Sequence, residues 1–148
     1  MRPGSEPLAR HGDVGLLILR IVVGARLVAG TLDNVTSWAR MEEFAGFLGT
    51  NGFPFPLPGA VVSAWVQFAG GTLLALGLCT RPAAALLAVN FAAALAIAHR
   101  ADTFEGAFPA LVILAAAVLF ALGGPGRWSL DAAWAARRGA ARKRAAAS

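Results

Sequence analysis

Four apolar blocks, each about twenty residues long, dominate this chain of 148 residues and leave few folds open to it. Twenty residues at 1.5 Å rise make a helix about 30 Å long, the thickness of a bilayer's hydrocarbon core. Within that layer a helix satisfies its own backbone donors and acceptors, which an open strand does not. The blocks run roughly over residues 14–32, 59–78, 82–98 and 107–123. Charged residues make up only 14% of the chain, against about 25% in a soluble domain. Folded in water, such a chain would leave large apolar patches uncovered. The expected fold class is therefore all-α, a four-transmembrane-helix bundle.

The segments between the blocks complete the plan. Residues 1–13, with Pro3, Gly4 and Pro7, read as a disordered lead. They do not open a cleaved signal peptide, because Arg20 and Arg26 interrupt the apolar stretch that follows. Thr36 to Leu48 reads as a short interfacial helix with Phe44, Phe47 and Leu48 toward lipid. The run Asn51-Gly-Phe-Pro-Phe-Pro-Leu-Pro58 reads as a turn, since each proline removes a donor and restricts the residue before it. Cys79 to Pro82 is a tight turn, with Pro82 suited to the first turn of a helix. Gly124-Pro-Gly126 stops the fourth block. The division is a lead (1–13), a membrane domain (14–128) and a basic amphipathic tail (129–148).

Basic residues orient this plan. With the N-terminus cytoplasmic, nine Lys and Arg residues fall on the inner side, and only Arg40 and Arg100 on the outer. Four spans then place both termini in the cytoplasm. Six of the thirteen basic residues lie in the last 25 positions, beside a span, so anionic lipid is a nearer partner than nucleic acid. Arg20, Arg81, Arg137, Arg138, Arg142, Lys143 and Arg144 are the expected inner-leaflet lipid contacts, each contributing ~1 kcal/mol near such a surface. Membrane helices associate through small residues, here Ala84, Ala88, Ala92 and Ala96 in the third block, with Gly59, Ser63 and Gly70-Gly71 in the second.

Chemistry-bearing residues are few. A single cysteine, Cys79, excludes an internal disulfide, and two histidines, His11 and His99, make no zinc set of the usual kind. No nucleophile–base pair or phosphate-cradling loop is present, so no catalytic residue and no metal is assigned. What remains is polar residues at membrane depth, which are costly and need a reason. Arg26, Gln67 and Asn90 fall near one level, with Asp33 two turns above Arg26, and with His99 toward the outer mouth. Two readings stay open. Arg26 reaches Asp33 or the headgroups while Gln67 and Asn90 bridge helices, or these residues line an outward-facing pocket for the head of a quinone, a lipid or a small anion.

Several strings taken together resemble the DoxX family of small four-span membrane proteins. They are Leu19-Arg20-Ile-Val-Val-Gly24, Met41-Glu-Glu-Phe-Ala-Gly-Phe-Leu48 leading to Gly52-Phe53-Pro54, Gly70-Gly71-Thr-Leu-Leu-Ala-Leu-Gly77-Leu-Cys-Thr80-Arg81, and Gly124-Pro-Gly-Arg-Trp-Ser-Leu-Asp131. The family commonly carries Glu where Gln67 stands, and His-Gly and Lys where Ala29-Gly30-Thr31 and Asp33-Asn34 stand. These departures remove ionisable groups. The resemblance implies a bacterial plasma-membrane protein, an accessory subunit or scaffold of a quinone-linked oxidoreductase, and the residues themselves lean against catalysis of its own. Relatives include a small subunit of thiosulfate:quinone oxidoreductase. A quinone is the cofactor so implied; a membrane or peripheral oxidoreductase and a second copy of the chain are the implied partners. The alternative function is binding or transport of a lipid or small solute at the Arg26 level.

Overall fold

A computed structural model describes residues 6–98, 100 and 102–146. Among the described residues there are six helices and no strand: α1 (Glu6–Thr36), α2 (Trp38–Thr50), α3 (Pro56–Leu76), α4 (Thr80–Ile97), α5 (Phe104–Gly123) and α6 (Leu130–Ala145). Four of them, α1 from His11 onward, α3, α4 and α5, are long and apolar enough to cross a membrane. Residues 6–13, read above as disordered lead, are instead the first turns of α1. Pro7 sits within the first turn, where a missing N–H costs nothing, so the helix starts early. The proline run also divides differently from expectation. Pro56 and Pro58 open α3, which shortens the turn to residues 51–55.

Neighbouring spans run antiparallel. Arg20 of α1 lies beside Gly77 after α3, whereas Gly24, one turn further on, meets Ala75 and Gly71, earlier in α3. Arg81 at the start of α4 reaches Gly124 at the end of α5. The turn between α3 and α4 is only three residues long. Gly77, at φ +66°, allows the left-handed cap, and Leu78 N–H returns to the Leu73 carbonyl at 3.0 Å. The molecule thus has a terminal end, where α1 begins and α5 and α3 finish, and an opposite end carrying α2.

Two apolar clusters hold the bundle. The larger joins Val23 and Leu27 of α1, Leu74 of α3, Leu87 and Phe91 of α4, and Phe120 of α5. The smaller fastens α2 to the bundle through Met41, Ala45 and Leu48, against Ala60 and Ala64 of α3 and Ala98. Leu48, expected to face lipid, is therefore buried, and Phe44 packs against this cluster; only Phe47 stays exposed. The alanine ladder is corrected too. Ala84 is buried and Ala88 half-buried, but Ala92 and Ala96 face outward. A spacing of four residues advances about 40° beyond a full turn at each step, so the stripe winds off the interface.

Candidate functional site: a polar-floored cavity and a terminal clasp

A cavity of about 530 Å³ opens between the α2-end halves of the spans, within the usual range of small-molecule sites. Its walls are mostly apolar. Phe44, Phe47 and Leu48 come from α2, Phe53 from the following turn, and Val62, Val66, Leu86, Val89 and Phe91 from α3 and α4. Gln67 and Asn90 supply the polar groups at mid-span, with Ser63 beside them and Thr31 and Asn34 contributed by α1. Thr31 Oγ1 is occupied, donating to the Leu27 carbonyl at 2.8 Å, and Asn34 Nδ2 donates to the Arg40 carbonyl at 3.1 Å. Gln67 Nε2 donates to Ser63 Oγ at 3.0 Å. Asn90 differs: its Nδ2 is buried without a hydrogen-bond partner among the described residues. An unmet donor in such surroundings costs about 1–3 kcal/mol.

The expected polar level is thus only partly assembled. Gln67 and Asn90 come together in one cavity, but Arg26 and Asp33 do not line it. Arg26 is exposed on α1 and lays its guanidinium over Gly30, one turn on, where the absent side chain leaves room. Asp33 is exposed as well, and the two form no ion pair. A side chain seven residues away on a helix is two turns distant, about 10 Å, beyond a direct contact for these groups. His99 lies outside the described residues. Among the described residues no ionisable side chain lines the cavity, and the polar groups it offers are hydrogen-bonding ones.

The terminal end holds a second constellation that sequence reasoning missed. Arg20 was expected to contact inner-leaflet lipid, but it is only 2% exposed. Its Nη1 donates to the Pro125 carbonyl at 2.9 Å and its Nη2 to the Trp128 carbonyl at 2.6 Å. The loop after α5 curls over the guanidinium because Gly124 and Gly126 both adopt positive φ, +83° and +78°. Asp13, two turns earlier on α1, accepts the Arg127 N–H at 3.0 Å. Asp131 then caps α4: its carboxylate accepts the N–H of Cys79 at 2.8 Å and of Thr80 at 2.9 Å. These partners are 51 to 114 residues apart in sequence, so no local spacing announces them. Arg81 is exposed at this end, as are Arg137, Arg138, Arg142, Lys143 and Arg144 on α6, where Arg138 stacks over Trp134 at 4.5 Å.

The DoxX family model matches residues 15–100, more than half of the chain. The chain belongs to the DoxX family. No curated protein and no solved structure matches it. The DoxX match takes in most of α1 and all of α2, α3 and α4, hence every helix that lines the cavity. Two of the DoxX-like strings acquire physical roles. Leu19 to Gly24 supplies the clasp arginine and a glycine contact, and Gly70 to Arg81 supplies the glycine that α1 packs on and the turn that Asp131 caps.

Asp131 makes the DoxX clasp sensitive to acid. Partial burial pushes its carboxyl up, but the Thr80 and Cys79 amides and the Arg20 charge outweigh it, leaving the group below the usual carboxylate range. A depressed folded value stabilises the fold above the unfolded value of about 4, and that stabilisation is lost as pH falls through the lower folded value. Tryptic cutting at Arg127 is thus expected to stay slow at neutral pH in wild type. Asp131→Asn, which weakens the α4 cap by about 0.5–2 kcal/mol, should speed cutting and flatten the acid-side loss of thermal stability below about pH 4. An unchanged acid profile in that variant would remove Asp131 from this role.

Proposed function

We propose that this multi-pass membrane protein binds a bilayer-resident molecule by its hydrogen-bonding head, in the cavity between α1, α2, α3 and α4. The observation that carries the reading is a cavity of small-molecule size whose otherwise apolar walls hold the Ser63, Gln67 and Asn90 side chains at mid-span. The second support is negative selection by charge: among the described residues the walls carry no cation, Arg26 standing outside the lining. In this reading the protein is not itself an enzyme. It serves as an accessory subunit that holds or presents a lipid-soluble molecule, a quinone in the oxidoreductase setting that the family resemblance implies.

The nine-to-two distribution of basic residues supports cytoplasmic termini in a bacterial plasma membrane, with the cavity in the outer half. The five basic residues of α6, together with Trp134, would then lie along the anionic inner leaflet.

Asn90→Leu separates this reading from a purely structural one. Leucine keeps the volume, removes the amide from the cavity wall and takes away its buried, unmet Nδ2 donor, so the fold should be unchanged or more stable by about 1 kcal/mol. Retention of the co-purifying molecule, read by mass spectrometry of protein extracted in mild detergent, should fall about tenfold, the loss of one hydrogen bond. If wild type carries no lipid-soluble molecule and none binds on addition, the proposal is wrong.

A further inference from the structure

We infer that the protein pairs with a second copy of itself through α1, the Arg26 of each copy answered by the Asp33 of the other. This goes beyond the binding reading above and does not depend on it.

Arg26 is a charge that the fold leaves on the outside of a membrane span. It lies ten residues from the nearer end of the apolar stretch His11–Thr36, about 15 Å along the axis, and it is exposed. A charge at such depth is costly, and proteins meet it with the bundle interior, a water-filled cavity or an opposite charge. Other polar side chains of α1 are answered within the chain: Arg20 by two carbonyls, Thr31 by Leu27 and Asn34 by Arg40. Among the described residues, neither a hydrogen bond nor an ion pair answers the Arg26 guanidinium or the Asp33 carboxylate.

The two unanswered charges stand on one strip of α1. Seven residues return to within about 20° of the same azimuth, and both side chains are exposed. The guanidinium is laid over Gly30, one turn toward Asp33, so the charges differ in depth by about a turn. Ala25, Ala29 and Gly30 around them are small and exposed, and Val22 is exposed as well, which lets a second helix come close.

The occupant follows from charge and depth. The carboxylates within the four spans are Asp13, Asp33 and Glu105. Asp13 is held by the Arg127 amide and Glu105 stands in the first turn of α5, which leaves Asp33 as the one near the level of the guanidinium. A second copy inserted in the same direction presents its Asp33 at the depth of the first copy's own. About a two-fold axis along the membrane normal the two strips face each other, and the Arg26–Asp33 contact is made twice. The strip is thus its own complement in charge.

The test follows self-association of the full chain in phosphatidylcholine vesicles, by energy transfer between copies carrying donor or acceptor on the exposed Cys79. Wild type is expected to dimerise, and Arg26→Leu and Asp33→Asn each to dissociate tenfold or more readily. Both residues are exposed, so each variant should keep the helical content of wild type by circular dichroism. Mixed together, the two variants retain one of the two ion pairs, and energy transfer between them should exceed that within either alone. With Cys79→Ser in place, Ala29→Cys should cross-link two copies on oxidation, and Ala115→Cys, exposed on α5, should not. A monomeric wild type, or single variants that associate as wild type does, overturns the inference. A mixture without preference for the mixed pair overturns it too, as an Arg26 answered by its own chain's Asp33 or by a lipid phosphate would give. Cross-linking at residue 115 and not at 29 puts the interface on another face and overturns it as well. All of these outcomes leave the cavity and its binding reading standing.

Discussion

Replacing Arg20 by leucine is expected to destabilise the bundle by about 2–5 kcal/mol, the largest effect of any polar substitution in the chain. The guanidinium is buried and meets two carbonyls, Pro125 and Trp128, that have no helix to satisfy them. Leucine would leave both unmet, each at about 1–3 kcal/mol, and would remove the positive charge that faces Asp131. Arg20→Lys should recover only part of the loss, because an ammonium on a shorter reach does not offer the guanidinium's fork of donors. Denaturation in SDS, with tryptic release of α6 followed in parallel, distinguishes the clasp from a lipid-contacting arginine. A residue that merely touched headgroups would lose little in either assay and would tolerate lysine. Wild-type-like stability in Arg20→Leu would therefore restore the lipid reading and dissolve the clasp.

Arg20 also marks where the sequence stops being readable. Four spans were legible because each is a contiguous run whose length and hydropathy are local quantities. A turn near Cys79 and the stop at Gly124 were legible for the same reason, glycine and proline acting on their own neighbourhood, though the turn falls at residues 77–79 rather than at Cys79 to Pro82, because Gly77 caps α3 and Thr80 already begins α4. The fate of Arg20 was not, since its acceptors are backbone carbonyls 105 and 108 residues away, and carbonyls carry no residue-type signal. The polar level shows the same division. Depth along a helix placed Gln67 and Asn90 together, and they share a cavity. Depth says nothing about azimuth, so Arg26 joined that level in the sequence reading while its side chain lies outside the lining, over Gly30. Leu48 and Phe44 show a related effect: α2 is amphipathic, but its apolar stripe turns toward α3 rather than lipid.

Gly24→Leu is the other substitution expected to act strongly, and it tests what holds α1 to α3. A Cβ at Gly24 would stand 2.6 Å from the Gly71 carbonyl oxygen and 2.7 Å from the Ala75 Cβ. Neither can swing away, since one is backbone and the other is fixed to it. The reverse view agrees: a Cβ at Gly71 would meet the Leu27 Cβ at 2.7 Å. The helices must therefore separate, and in a membrane close approach is itself the main source of association. Overpacking costs about 1–3 kcal/mol even in cores that relax, so leucine here should cost about 3 kcal/mol or more. Alanine already carries the clashing atom, and Gly24→Ala should be destabilising by about 1–3 kcal/mol although alanine is the better helix former by ~1 kcal/mol. Gly46→Ala provides the opposite sign within one fold. A Cβ there meets nothing within 4 Å, so only the propensity gain remains and stability should rise by up to about 1 kcal/mol. Gly70→Ala should fall between, because what its Cβ would meet at 3.0–3.3 Å is the far end of the Leu87 side chain, which can turn. Unfolding in SDS ranks the three alanine variants. Should Gly24→Ala prove as stable as Gly46→Ala, backbone contact at Gly24 and Gly71 is not what joins α1 to α3, and the larger apolar cluster below them must do it alone.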